Sequence, residues 1–167
     1  SPLPGVFHTS RPTCRVLLAD GTEVWLNANS TLRYPERFDL KQREVELQGE
    51  AFFEVEKNKE KPFVVKTSKM DIQVTGTKFN VSAYEAEKYF VTSLVEGAVS
   101  VSCANDRNRT FSLRPQQQII VSDSSSEVAL FENTDFLSWR EGVFVFDDMS
   151  LTDIIKNWNC SMMCRLL

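Results

Sequence analysis

Ile72 to Val101, IQVTGTKFNVSAYEAEKYFVTSLVEGAVSV, is the stretch on which the reading of this chain turns. Val74-Thr75-Gly76 leads to Phe79-Asn80-Val81, and Val95-Glu96-Gly97 leads to Val99-Ser100-Val101. Each half alternates apolar and polar residues, breaks at one glycine and resumes, the pattern of a strand that bends or bulges and carries on. Leu47-Gln48-Gly49, leading to Phe52 and Val55, is an earlier unit of the same kind. Three such units point to a β structure assembled from strand–glycine–strand pieces. None of them carries a catalytic group.

Working outward, Arg15-Val16-Leu17-Leu18 and Val24-Trp25-Leu26 flank Asp20-Gly21, a dipeptide that accepts the positive φ of a tight hairpin. Leu32 and Tyr34 resume the alternation and Pro35 stops it. From Arg43 to Val55, Val45 and Leu47 share one face, with Glu44, Glu46 and Gln48 on the other. Phe52 and Phe53 fall on opposite faces, so one of them must meet a second layer or solvent. Pro62 opens another strand, Phe63-Val64-Val65. β-Branched residues and glycines recur too often between Val16 and Val121 for helix. The expectation is a mainly β protein of roughly ten to thirteen short strands. Ser1 to Thr13, with its prolines and no periodicity, reads as a flexible lead-in.

The character changes near Phe136. Val143-Phe144-Val145-Phe146 is a continuous apolar strand, and Ser150 caps a helix whose Leu151, Ile154, Ile155 and Trp158 share a face. This is the strand-helix opening of an α/β unit that the sequence does not complete. An apolar strand with so little to cover it is an expected protein-interaction surface, and Val143, Phe144, Val145 and Phe146 are its candidate residues, with self-association of the fragment as one outcome.

Chemistry-bearing groups are sparse. His8 is the single histidine, and Cys14, Cys103, Cys160 and Cys164 make no CxxC pair, so neither metal site nor cofactor is expected. The cysteines allow a disulfide in an oxidising compartment without choosing a pairing. Net charge is −4 and no Lys/Arg stripe accompanies interleaved aromatics, which argues against nucleic acid. No apolar run approaches the ~20 residues of a membrane helix. Glu50, Glu54 and Glu56 lie close enough in sequence to suggest an acid/base set, but paired-carboxylate chemistry needs opposed elements around a cleft. Trp25, Tyr34, Tyr84 and Tyr89 could line a sugar-stacking groove, although aromatics in β proteins more often fill cores. A carbohydrate-binding β-module is therefore the alternative function, and a cupin-like enzyme fails for want of histidines.

The ordered motifs resemble one family. Val16-Leu17-Leu18-Ala19-Asp20-Gly21-Thr22-Glu23-Val24-Trp25-Leu26-Asn27 is similar to the LxDGSxVWLN opening of the FecR-like domain. Gly49 to Val55 matches its GEAFFEV segment, Pro62 to Val65 its RPFVV, Gly76 to Val81 its GTxFNV, and Leu94 to Gly97 its LxEG. Leu113-Arg114-Pro115-Gln116-Gln117 resembles LxPGQ, with Gln116 in place of the glycine. The resemblance implies a solenoid-like or two-sheet β lobe over residues 15–135, then the truncated start of a C-terminal α/β lobe over 136–167, with residues 1–14 as leader. It also implies the periplasmic part of an inner-membrane-anchored anti-sigma factor. Such a domain senses the signalling domain of an outer-membrane TonB-dependent transporter, and the extracytoplasmic-function sigma factor is held by a cytoplasmic segment that this sequence does not contain. The family brings no catalytic residues. After Lys156 the family pattern, which the resemblance expects to run on as Glu-Leu-Glu-Leu-Phe-Tyr-Asp-Val-Gln, fails, and codons exist for which that text, read one base later, gives Asn157-Trp158-Asn159-Cys160 and the residues after it.

Overall fold

The computed structural model describes residues 5–9 and 14–141. Thirteen strands run through them: β1 (Gly5–Thr9), β2 (Cys14–Leu17), β3 (Glu23–Leu26), β4 (Ser30–Tyr34), β5 (Arg43–Glu54), β6 (Phe63–Lys66) and β7 (Met70–Val74), then β8 (Lys78–Ala83), β9 (Phe90–Glu96), β10 (Val99–Cys103), β11 (Asp106–Leu113), β12 (Gln117–Val121) and β13 (Ser126–Leu130). A 3-10 helix, Asp135–Glu141, follows. The expected mainly β fold is the one observed.

All thirteen strands belong to one curled sheet organised around β5. The first half of β5 pairs with β4 and, in parallel, with β6; the second half pairs with β3 and β8. One half of the sheet therefore runs β1-β4-β5-β6-β7-β10-β11, and the other β2-β3-β5-β8-β9-β12-β13. The halves curl toward each other around a single core. Leu32, Val45, Phe63, Ile72 and Val101 enter it from the first, and Val24, Phe53, Phe79, Leu94 and Ile119 from the second. Phe53 joins the two, stacked on Phe79 at 5.0 Å and edge-on to Phe63 at 6.1 Å. Full burial of such side chains contributes roughly 1.5–3 kcal/mol each.

Gly49 is the bend within β5, with φ 104°. Gly76 and Gly97 differ from the expected bulges. They lie between strands, and the strands on either side belong to opposite halves of the sheet, β7 to β8 and β9 to β10. The alternation resumes after each glycine because the chain turns a corner from one half to the other. The Asp20-Gly21 hairpin forms as expected, with Leu17 opposite Glu23, Gly21 at φ 90° and the Gly21 amide donating to the Leu18 carbonyl at 3.1 Å. Arg114-Pro115-Gln116-Gln117 closes another turn, the Gln117 amide donating to the Arg114 carbonyl at 3.0 Å. Gln116 has φ 71° there, the left-handed conformation that the glycine of the resembled motif takes without strain.

Gly5–Thr9 corrects the expected lead-in. It is an antiparallel strand on the edge of β4, with Phe7 packed against the core and His8 Nδ1 2.7 Å from Thr31 Oγ1. Five residues flanked by prolines are too few to show a period in sequence, and it is β4 that supplies their hydrogen bonds. Cys14, also expected in the leader, is fully buried in β2. Cys103 is a buried free thiol. The apolar strand from Val143, the helix from Ser150 and the tail after Lys156 lie outside the described residues.

Candidate functional site

The outer face of the second half-sheet is where the sequence concentrates side chains that the core does not explain. Parity puts Glu50, Phe52 and Glu54 on that face of β5, opposite Ala51 and Phe53 in the core. Register then sets a row across neighbouring strands: Trp25, Phe52, Asn80, Ser93 and Gln118. Phe52 is nonetheless only 1% exposed. The second layer expected for one of the two phenylalanines is made by Trp25, edge-on at 5.9 Å, and by Arg140 of the 3-10 helix, whose guanidinium carbon stands 4.1 Å from the ring centroid. Arg140 also covers Trp25 at 5.4 Å and donates to Glu54 Oε1 at 3.2 Å. Leu137 is buried under the same strap, and Phe136 meets Phe131 edge-on at 5.2 Å. Cation–π contacts of this kind contribute about 0.5–2 kcal/mol each. The 3-10 helix is thus clamped on the sheet through Arg140, and Val143–Phe146, which follow it in sequence, lie outside the described residues.

Beside the clamp is a polar cluster. Asn27 Nδ2 donates to Glu50 Oε1 at 2.8 Å, the Ser30 hydroxyl donates to the Glu50 carbonyl at 3.1 Å, and the Tyr84 hydroxyl donates to the Ala28 carbonyl at 2.8 Å. Burial raises the Glu50 carboxyl above its ordinary value; hydrogen bonds from Asn27 and Asn80 oppose the shift, and the Glu87 charge adds to it. Burial likewise raises the Tyr84 hydroxyl. Asn80 Oδ1, in the same cluster, is buried without a hydrogen-bond partner.

A carboxyl held above its unfolded-state value stabilises the fold below that value, and the contribution fades as pH rises through the folded one. Glu50→Gln keeps an acceptor for Asn27 and removes the buried charge. The variant is expected to unfold at a higher temperature than the parent, with a larger gain at pH 7.5 than at pH 4.5. Thermal melts across that range check this, and a gain that shrinks with rising pH contradicts it.

Glu50, Glu54 and Glu56 are not assembled as an acid/base set. Glu50 belongs to the polar cluster and Glu54 pairs with Arg140, while the Glu56 amide donates to Thr22 Oγ1 at 3.1 Å. Glu54 and Glu56 do line a groove of about 270 Å³ with Glu23, Glu96, Lys57 and Lys78. Within it Glu23 pairs with Arg15, and Glu96 with Lys78 at 3.7 Å, so the groove is one of matched charges. The aromatics are likewise dispersed. Trp25 lies between two arginines, Tyr34 packs against the core, Tyr84 caps a backbone carbonyl, and Tyr89 is exposed with Lys88 Nζ 5.2 Å from its ring centroid. No stacking groove unites them. Among the described residues, no three His, Cys, Asp or Glu side chains gather as a metal site.

The FecR protein family model matches residues 8–100, more than half of the chain. The chain belongs to the FecR protein family. Two crystal structures from Parabacteroides distasonis ATCC 8503, described as those of an anti-sigma factor, are similar to this FecR-like domain over nearly its whole length. One shares 32% identity at a TM-score of 0.79, covering 93% of this chain and 73% of its own. The other shares 30% identity at 0.78, covering 95% and 75%. A comparison with curated proteins found no match. The protein is an anti-sigma factor signalling domain, and the anti-sigma factor family is of a regulatory, non-enzymatic kind. FecR domains belong to membrane-anchored anti-sigma factors. Among the described residues of this one, no helix is long and apolar enough to cross a membrane.

Proposed function

We propose that this FecR-like domain works in the periplasm, as part of an inner-membrane-anchored anti-sigma factor, and relays the state of an outer-membrane TonB-dependent transporter to an extracytoplasmic-function sigma factor. The FecR match across residues 8–100 is the observation that carries the reading. On this reading the domain acts by protein–protein contact and needs no catalytic group, and its carboxylates serve the fold through ion pairs such as Glu54–Arg140 and hydrogen bonds such as Glu50–Asn27. The transporter's signalling domain docks at the apolar segment Val143, Phe144, Val145 and Phe146. Arg140, three residues before that segment in sequence, is held on β3 and β5 through Trp25, Phe52 and Glu54. The sigma factor is held by a segment outside this sequence.

Calorimetric titration with the periplasmic signalling domain of the transporter encoded beside this gene tests the reading. Saturable binding that Phe144→Asp abolishes supports it. No heat of binding at protein concentrations of about 100 μM overturns it, since transient signalling contacts fall within the micromolar range.

A further inference from the structure

The chain leaves the sheet at one edge and comes back over it. β13 closes the second half, separated from β5 by β8, β9 and β12. Phe131 is still held at that edge, its amide donating to the Gln116 carbonyl at 3.0 Å. Arg140 already stands over Phe52 of β5 and Trp25 of β3. Neighbouring strands lie about 4.8 Å apart, so the segment between crosses roughly 19 Å of sheet. It crosses on the outer face, the one Phe52 and Trp25 share. Asn80 and Ser93, in the same row on β8 and β9, are both buried.

Side chains hold this segment down. Among the described residues, no backbone hydrogen bond joins residues 132–141 to a strand. The Leu137 amide donates to the Thr134 carbonyl at 2.8 Å and the Asp135 amide to Asn133 Oδ1 at 3.2 Å, both inside the segment. Toward the sheet, Arg140 Nη1 donates to Glu54 Oε1, the guanidinium covers two rings, and Leu137 is buried. The ion pair is partly solvated, with 24% and 33% of its two side chains exposed, and a pair of that kind is weak and screened by salt. In the crossed row, Asn80 Oδ1 is buried with no hydrogen-bond partner among the described residues, a group that water satisfies once it is uncovered.

We propose that residues 132–141 are a releasable strap, which exchanges between this clamped position and a free one while the sheet stays intact. The Arg140–Glu54 pair is its catch, and release bares Trp25 and Phe52. No ladder between strands has to break for the strap to lift. The proposal does not rest on the transporter reading, and its test needs this protein alone.

Trypsin reads the free position, because it can cut after Arg140 only when the guanidinium has left Glu54 and the rings. Native-state digestion followed by mass spectrometry gives the rate of that one cut, normalised to a small peptide substrate. Glu54→Gln should speed the cut about two- to fivefold, the range of a partly exposed ion pair. Raising salt from about 0.05 to 0.5 M should speed it in the parent and not in Glu54→Gln. Leu137→Ala, which removes buried apolar contact, should speed it about tenfold or more. Ile72→Val weakens the core from the other half of the sheet and should leave this cut unchanged. If Glu54→Gln does not fold, the salt series on the parent decides. A cut that accelerates with Ile72→Val would mean that the strap leaves only when the sheet unfolds, and overturns the proposal. So would a rate indifferent to salt, Glu54→Gln and Leu137→Ala alike, or no cut at Arg140 while exposed arginines are cut.

Discussion

Arg43→Ala is expected to destabilise the protein by about 3–5 kcal/mol, the range found when one partner of a buried ion pair is removed. Arg43 is 2% exposed at the start of β5. Its Nη1 donates to Asp20 Oδ2 at 2.8 Å and to the Glu56 carbonyl at 2.7 Å, its Nε donates to the Lys61 carbonyl at 2.8 Å, and its guanidinium lies over Phe63 at 5.5 Å. One side chain thus holds together the Asp20-Gly21 turn, the loop after Glu56 and the entry to β5. Alanine leaves those carbonyls and the Asp20 carboxylate short of a donor, and leaves a void beside Phe63. Arg43→Lys should recover only part of the loss, because an ammonium keeps the charge but not the planar fork. Urea denaturation measures both variants. A loss below about 1 kcal/mol for alanine would show that the pair is as weak as a surface one.

Gly49→Ala should cost about 3 kcal/mol or more. Two terms add. At φ 104° any side chain is strained, by roughly 1–2 kcal/mol. A Cβ there would also stand 2.4 Å from Ser30 Oγ and 2.7 Å from Ser30 Cα, so the clash involves main chain that cannot rotate away. Ser30 Oγ in turn accepts from the Glu50 amide at 2.9 Å, and displacing it frees a buried donor. The Gly49→Ala, Ser30→Gly double variant removes the clash with the serine side chain and leaves the clash with the main chain of residue 30. It should therefore stay well below the parent in a denaturant titration. Full recovery would place the whole cost in the Ser30 side chain.

These two positions also show what could be read from the sequence and what could not. Alternation along β5 correctly sent Val45 and Leu47 inward and set Phe52 against Phe53. The same parity sends Arg43 inward, yet a charged residue reads as solvent-facing unless its partners are known, and they come from loops 13 to 23 residues away. Gly49 was visible as a break in the pattern. Its reason, the approach of Ser30, was not, because close packing between strands leaves no periodic trace. The Asp20-Gly21 hairpin was fully legible because its cause is local. The clamp was not: Arg140 and Glu54 are 86 residues apart, and nothing in the 3-10 segment marks which face of which strand it will cover.

The shared strand has a kinetic consequence. Because β5 gives its first half to one side of the sheet and its second half to the other, neither side can come apart while its counterpart stays whole. The domain should open as one unit, with β5 amides exchanging with solvent only on global unfolding, and a protease that cuts an exposed loop must wait for that same event to degrade the rest. On the proposed function, a sheet of this build passes a pull on its end across the entire lobe or yields all at once, with no half-open state in which it could linger.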